Sequence, residues 1–355
     1  MKKLFIVCGA LESGGAERVI SILSKPLSEE YETVLITWRN SDAFYKIDPK
    51  IQVISLPIFT KSNNIIKKII KFRKLSKKVK PDLILSFLTP FNILTIISLW
   101  FTNFKIVAAE RLDPRYLKGG KLMQWIRNQI YKRADFILCQ TNFIKDLYPN
   151  YLQKKIYILY NPIILEKSLI GKALTFEKGN TIVAVGRLHP QKNYNLMIDG
   201  FNLFLEDFPD YKLLIYGIGS LQDSLEKKIE ELNLQNHVIL KGNSKTIHQD
   251  ILSAKVFLMT SLFEGMSNAL IEAMCLGIPV ISTKVSGATD LIKDKENGIL
   301  IEDKPEDIKN ALELILKSED RAKEMGNKAC EVYNKLNVEI ISKEWIDFIN
   351  YAIHH

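Results

Sequence analysis

The sequence predicts an α/β protein built from two doubly wound, Rossmann-like domains facing across a cleft. Three observations carry this expectation. Short apolar runs, several ending in glycine, alternate with helical patterns. The alternation restarts after residue 171. The chain has 355 residues, too many for one comfortable core and about right for two.

The elements follow in order. KKLFIVCG is a first buried strand, and a helix is expected over Ala16 to Leu27. YETVLIT and IQVISLP are the second and third strands, followed by a helix over Asn64 to Lys80. PDLILSF opens a fourth strand after a proline stop; FKIVAAE, ADFILCQT and KIYILYNP are the fifth to seventh. Runs this apolar read as strands of a parallel sheet covered on both faces. Residues 171–180 are polar, contain two glycines and read as a linker. The second set comprises NTIVAVGRL, a helix over Asn195 to Phe208, YKLLIYGIG, a helix over Leu221 to Leu232, then HVILKG, KVFLMTS and PVISTK. Val338 to Ile353 reads as one amphipathic helix with Trp345 and Phe348 on its apolar side. The expected domains are therefore 1–171, 172–335 and a C-terminal helix over 336–355 packing back on the first domain. Ligands of such sheets bind beyond the strands' C-terminal ends, which makes the cleft the expected site.

Composition narrows the function classes. Apolar residues make up 47% and charged residues 25%, values of a globular chain rather than a disordered one. Cys8, Cys139, Cys275 and Cys330 are far apart and form no CxxC pair, which argues against a disulfide framework or zinc site and fits a reducing cytosol. The apolar start, Met1 to Cys8, is too short for a signal peptide. Leu83 to Phe104 carries no charged residue, but Ser86, Thr89, Pro90 and Asn92 interrupt it. It reads as a strand and a helix rather than a membrane span.

The net charge of +9 is concentrated. No acid lies between Asp48 and Asp82, while Lys61, Lys67, Lys68, Lys71, Arg73, Lys74, Lys77, Lys78 and Lys80 crowd that stretch. Lys67, Lys71, Lys74 and Lys78 form one helical stripe, and Ile65, Ile69, Phe72 and Val79 another. The stripe is either a solvated face or a docking site for anionic lipid or an acceptor diphosphate. Without a recognisable module, nucleic acid is not an expected partner.

Three segments can carry chemistry. Glu264-Gly-Met-Ser-Asn-Ala-Leu-Ile-Glu272 reads as a tight turn leading into a helix. Backbone N–H groups at a helix start suit a diphosphate, and carboxylates accept bonds from sugar hydroxyls. Gly186-Arg-Leu-His-Pro-Gln-Lys192 follows a buried strand. Its two cations, Arg187 and Lys192, can neutralise a departing diphosphate; the alternative is a pair of surface cations in a loop. In Gly9-Ala-Leu-Glu-Ser-Gly14-Gly15-Ala-Glu17, adjacent glycines let a ligand approach the backbone. Neither this segment nor Gly217-Ile-Gly219-Ser is GxGxxG, which disfavours a dinucleotide dehydrogenase. No DxD motif stands at a strand end, and no metal site is expected.

In order and spacing, GGAERV, VGRLHPQKN, LIYGIGS and EGMSNALIEAMCLGIPVI resemble glycosyltransferase family 4 along nearly the whole chain. The resemblance implies a GT-B fold, a metal-independent retaining transfer and an NDP-sugar donor, in the first place a UDP-sugar. It implies no cofactor. Arg187 and Lys192 would hold the donor diphosphate, Glu264 the donor sugar and Glu272 the ribose hydroxyls. Met266, Ser267 and Asn268 would offer backbone N–H groups, with Gly186, Gly217 and Gly265 at the same donor site. Gly14 and Gly15 would complete its phosphate side. SFLTPFN and AAERLDP resemble the branch that builds bacterial surface polysaccharides such as capsule or O-antigen, or lipid-linked oligosaccharides. That implies a polyprenyl-diphosphate-linked saccharide acceptor and a cytoplasmic enzyme held on the inner face of the plasma membrane. Glu110, Arg111 and Glu17 are the acceptor-side candidates, Glu110 as a catalytic group; a structural ion pair of Glu110 with Arg111 is the alternative. Two rival functions are a nucleotide-sugar epimerase, which needs no acceptor, and a non-catalytic nucleotide-sugar-binding partner.

Overall fold

The computed structural model describes residues 1–12, 14–40, 42–56, 65–111 and 113–355. The chain divides into two units, Met1–Pro162 with Val338–His355, and Ile163–Asn337.

In the first unit, β1 (Lys2–Cys8), α1 (Gly15–Glu30), β2 (Tyr31–Thr37), β3 (Gln52–Ser55), α2 (Ile65–Val79), β4 (Leu83–Phe87), α3 (Thr89–Ser98), β5 (Ile106–Ala109), α4 (Gly120–Tyr131), β6 (Phe136–Cys139), α5 (Asn142–Asp146), α6 (Asn150–Gln153) and β7 (Ile156–Ile158) follow one another. The strands form one sheet of order β3-β2-β1-β4-β5-β6-β7, parallel at every pairing. All five residues of β4 are buried, as a strand covered on both faces requires. The uncharged run after it becomes the ten-residue α3, and among the described residues no helix is long and apolar enough to cross a membrane.

In the second unit, β8 (Thr181–Val185), α7 (Tyr194–Leu205), β9 (Lys212–Tyr216), α8 (Gln222–Glu231), β10 (Val238–Gly242), α9 (Ile247–Asp250), β11 (Val256–Met259), α10 (Asn268–Leu276), β12 (Val280–Thr283), α11 (Ser286–Leu291), β13 (Ile299–Ile301), α12 (Pro305–Leu316), α13 (Glu319–Cys330) and α14 (Tyr333–Leu336) succeed one another. Their sheet has the order β10-β9-β8-β11-β12-β13 and is again parallel. Its core gathers Phe201, Phe204, Leu213, Ile215, Val256, Leu258, Ile281 and Leu312.

In both sheets the strand order reverses beside the first strand of the unit, between β1 and β4 and between β8 and β11. Loops leaving neighbouring strands toward opposite faces open a crevice at such a point.

Residues 163–180 do not behave as a free connection. Ile163 N donates to Leu336 O, Gly171 N to Cys275 O and Gly179 N to Ser253 O, all inside the second unit. Backbone groups beside a sheet need partners, and the polar segment finds them along its own domain. After this unit the chain returns to the first as α15 (Val338–His354), whose Trp345 and Ile349 are fully buried and whose Trp345 Nε1 donates to Tyr160 O at 3.3 Å.

Candidate functional site

At the second reversal point, the loops after β8 and β11 are stitched together. Gln191 Nε2 donates to Phe263 O at 2.8 Å, Leu262 N returns a bond to Gln191 O, and Thr260 Oγ1 donates to Lys192 O at 3.0 Å. This lattice brings Lys192 Nζ to 2.6 Å from Glu264 Oε1. Ser261 Oγ donates to the same carboxylate oxygen at 2.9 Å, and Thr283 Oγ1 fixes Ser261 through its carbonyl at 2.7 Å. Arg187 is exposed just past β8. The two cations therefore differ, one solvated and one committed to a carboxylate whose side chain is only 10% exposed.

Gly186 and Gly217 lie where these strand ends press together. A β-carbon at Gly217, whose φ is +143°, would fall 1.9 Å from Gly186 O, so only glycine fits. Gly186 N donates to Tyr216 O, and Tyr194 Oη donates to Gly186 O at 2.8 Å. Burial lifts the Tyr194 hydroxyl well above the ordinary tyrosine range, with the Glu264 charge adding to the effect, so it stays a neutral donor.

Gly265 to Ser267 form the turn that starts α10. Ser267 caps the helix by accepting from Leu270 N, and Ser286 Oγ holds Gly265 O at 3.1 Å. Gly287 lies against this turn; a β-carbon there would meet Gly265 O and Met266 Cα at 2.8 Å. Met266, Ser267 and Glu272 are all buried, and Asn268 is half-buried. The arrangement puts the N-terminus of a nine-residue helix, its positive end, shortly after β11.

Glu272, about one turn into α10, meets a residue that sequence reasoning missed. His248 Nε2, from α9, lies 3.2 Å from Glu272 Oε2. Ser261, Thr260, Thr283 and Gln191 were missed as well. Each is a common residue type in an unremarkable string, and only the pairing of the β8 and β11 loops gives it a role.

At the first reversal point, Gly14 and Gly15 begin α1 and Glu17 lies in its first turn. A β-carbon at Gly14 would strike the Glu17 carboxylate, so that carboxylate is folded over the glycine loop. Ser13 lies outside the described residues.

Glu110 and Arg111, just past β5, do not pair with each other. Glu110 is 1% exposed and receives Thr89 Oγ1 at 2.7 Å, Asn92 Nδ2 at 3.1 Å and the Tyr131 hydroxyl. A turn at Leu88, with φ +72°, delivers Thr89 to it. Interior donors, with no cation among them, satisfy the carboxylate. The alternative of a structural ion pair with Arg111 is not formed, and these bonds hold the Glu110 carboxylate, expected as a catalytic group, inside the first unit. Arg111 turns the other way. Its Nη1 donates to Asn161 Oδ1 at 2.9 Å, and its guanidinium lies 5.0 Å from the Phe87 ring centre and 5.1 Å from that of Trp345. Burial pulls its pKa down to about 9. Nε and Nη2 of Arg111 are buried without a hydrogen-bond partner.

On α2, Lys67, Lys71, Lys74 and Lys78 are all exposed, and Phe72 is fully buried. Ile65, expected on the apolar side, is 44% exposed. Lys61 and Asn64 lie outside the described residues. Among the described residues, no group of three or more His, Cys, Asp or Glu side chains could hold a metal ion.

Comparison with known proteins gives the family and the fold. The description "Glycosyltransferase Family 4" matches residues 13–167, and "Glycosyl transferases group 1" matches residues 166–332. A Campylobacter jejuni N-acetylgalactosamine-N,N'-diacetylbacillosaminyl-diphospho-undecaprenol 4-alpha-N-acetylgalactosaminyltransferase is 34% identical, covering 93% of this chain and 94% of its own. An Escherichia coli UDP-Gal:alpha-D-GlcNAc-diphosphoundecaprenol alpha-1,3-galactosyltransferase is 25% identical over 88% of this chain and 87% of its own. The Anabaena protein Alr3699/HepE, solved in complex with UDP, superposes with a TM-score of 0.80 at 17% identity, covering 99% of this chain and 100% of that one. The fold is thus the GT-B architecture, and the chain is a glycosyltransferase belonging to family 4.

Proposed function

We propose that the enzyme transfers a hexosyl group, with retention, from an NDP-sugar to a hydroxyl of a polyprenyl-diphosphate-linked saccharide. A UDP-sugar is the first choice of donor, because the E. coli relative's name specifies UDP-Gal and the Anabaena neighbour was solved with UDP. The relatives' names specify alpha linkages, and a nucleotide-sugar with an axial diphosphate gives an alpha product only by retention.

The observation that carries the reading is the Lys192–Glu264 pair at the crevice beside α10. A diphosphate seated on the α10 N-terminus takes the N–H groups of Met266, Ser267 and Asn268, with Arg187 and Lys192 supplying positive charge. Lys192 turns from Glu264 to the phosphate, which frees the carboxylate to accept a sugar hydroxyl. Glu272 accepts from the ribose. The bond from C1 to the diphosphate oxygen breaks as the acceptor oxygen approaches the same face of the sugar. The acceptor's proton passes to the leaving diphosphate, and no protein nucleophile takes part. Placement at the inner face of the plasma membrane, with the α2 stripe toward it, belongs to the same proposal.

The test is incubation with a panel of UDP-sugars, with and without a polyprenyl-diphosphate saccharide. UDP release and an extended lipid product should appear only when both substrates are present. Interconversion of donor sugars without acceptor would point to an epimerase, and donor binding without turnover to a non-catalytic partner.

A further inference from the structure

α2, α3 and α4 lie side by side, α3 touching both of its neighbours, and they form one layer over the first sheet. None of the three contains an acidic residue. Over residues 49–134 the acids are Asp82, Glu110 and Asp113. Glu110 and Asp113 are buried at 1% and 3%, and Asp82 is bound to Lys2 and to the Lys3 backbone at the start of β4. Solvated surfaces ordinarily mix both signs, which limits self-repulsion. This layer carries only one.

It also carries apolar side chains that the core does not use. On α4 the exposed stripe is Lys121, Leu122 at 69% and Trp125 at 60%, with exposed Lys118 just ahead of the helix. On α2, Ile70 at 48% stands among Lys67, Lys71 and Lys74. Beyond α3, Trp100 is 39% exposed. Lysines around a tryptophan and leucine are the composition of an interfacial helix: the indole and alkyl groups enter the headgroup boundary while ammonium groups stay with lipid phosphates. Nucleic acid would use the cations but leave Leu122 and Ile70 without a partner.

We propose that the α2–α3–α4 face is a membrane-docking surface for anionic lipid, with Trp125 and Leu122 of α4 as its anchor and the α2 lysine stripe on the other side of α3. The proposal deepens the reading of a lipid-linked acceptor and rests on it for its biological sense. Lysines on α2 and α4, the two helices that flank α3, then act together, which neither helix achieves alone.

The experiment uses the full chain carrying Trp100→Phe, so that Trp125 is the exposed indole; Trp38 and Trp345 are buried at 1% and 0%. Vesicles of phosphatidylcholine and phosphatidylglycerol are prepared with brominated acyl chains, which quench only indoles that reach them. Trp125 emission should be quenched, and high salt should reverse it. In co-sedimentation, Lys118→Ser with Lys121→Ser should lower partitioning on the order of thirtyfold, about fivefold for each lysine at an anionic surface. Leu122→Ser with Trp125→Ser, both solvent-facing and safe for folding, should lower it roughly tenfold. Transfer to a water-soluble acceptor analogue should be unchanged in all variants. Sedimentation without quenching of Trp125 would mean that another face docks, and would overturn the proposal. So would failure to bind vesicles, or salt-insensitive self-association through this face. Loss of transfer to the soluble acceptor by the unmodified chain would instead count against the proposed function.

Discussion

Lys192 and Glu264, 72 residues apart in the chain, meet at 2.6 Å across the crevice between the β8 and β11 loops, and Ser261 donates to the same carboxylate oxygen. In the function proposed above, the cation of this pair serves the departing diphosphate and the carboxylate a sugar hydroxyl. The pair also separates Lys192 from Arg187 in what each loses on mutation. Arg187→Ala and Lys192→Ala should each lower kcat/KM about 10²-fold, the loss of one transition-state donor. Only Lys192→Ala should also lower stability, by roughly 3 kcal/mol, because it leaves a buried carboxylate without its cation. Thermal unfolding beside steady-state kinetics checks this, and near-normal turnover in both variants would remove the diphosphate assignment. EDTA should leave turnover intact if these cations, rather than a divalent metal, neutralise the diphosphate.

Glu264 and Glu272 should fail in different ways. Glu272 lies within α10 beside His248, and Glu272→Gln should raise the donor KM roughly tenfold while sparing kcat, as expected for uniform binding. Glu264→Gln should lower kcat about 10²-fold, as expected for a contact strengthened in the transition state. Initial rates over a donor concentration series separate the two. Matching profiles would merge the roles.

Glu110 should behave as a structural carboxylate. Replacing it with Gln turns one acceptor oxygen into a donor that faces Thr89, Asn92 or Tyr131, all of which donate to it now. The expected loss is about 2–3 kcal/mol of stability, the range for hydrogen bonds to a charged group. The fraction that remains folded should keep kcat within a few-fold. A 10³-fold fall in kcat at unchanged Tm would restore a catalytic role.

The strands and the two-domain division were legible because period and apolarity report burial directly. EGMSNALIEAMCLGIPVI was legible because a tight turn, a helix start and a C-terminal glycine fall in one continuous string. α4 was missed because its moment is carried by residues such as Met123, Ile126 and Ile130 interleaved with Leu122 and Trp125, which face outward; the apolar stripe is blurred on both sides. The enclosure of Glu110 was not legible because a strand-end position suggests exposure, and the donors that bury it arrive from α3 and α4. SFLTPFN, noticed as a family phrase, supplies two of those donors, Thr89 and Asn92. His248 was invisible because its partner lies on another helix.

Lys178 gives a prediction for pH. Its ammonium donates to Leu252 O at 3.2 Å and Ala254 O at 2.8 Å, and burial pulls its pKa from 10.5 down to about 8. Below pH 8 the folded and unfolded chains both carry the proton, and the penalty of a buried cation is present in full. Between about 8 and 10.5 the folded protein has released the proton and the unfolded chain retains it. Unfolding then takes up a proton, so this group makes stability rise with pH, at most by about 1.4 kcal/mol per pH unit. Lys178→Met removes that contribution and keeps the stem's packing. Thermal unfolding of both proteins from neutral to alkaline pH cancels the tyrosines and other lysines they share. The variant should have its greatest advantage near neutrality, and the advantage should shrink through pH 8 to 10. A difference between the two that stays flat with pH would show that Lys178 titrates as an ordinary surface lysine.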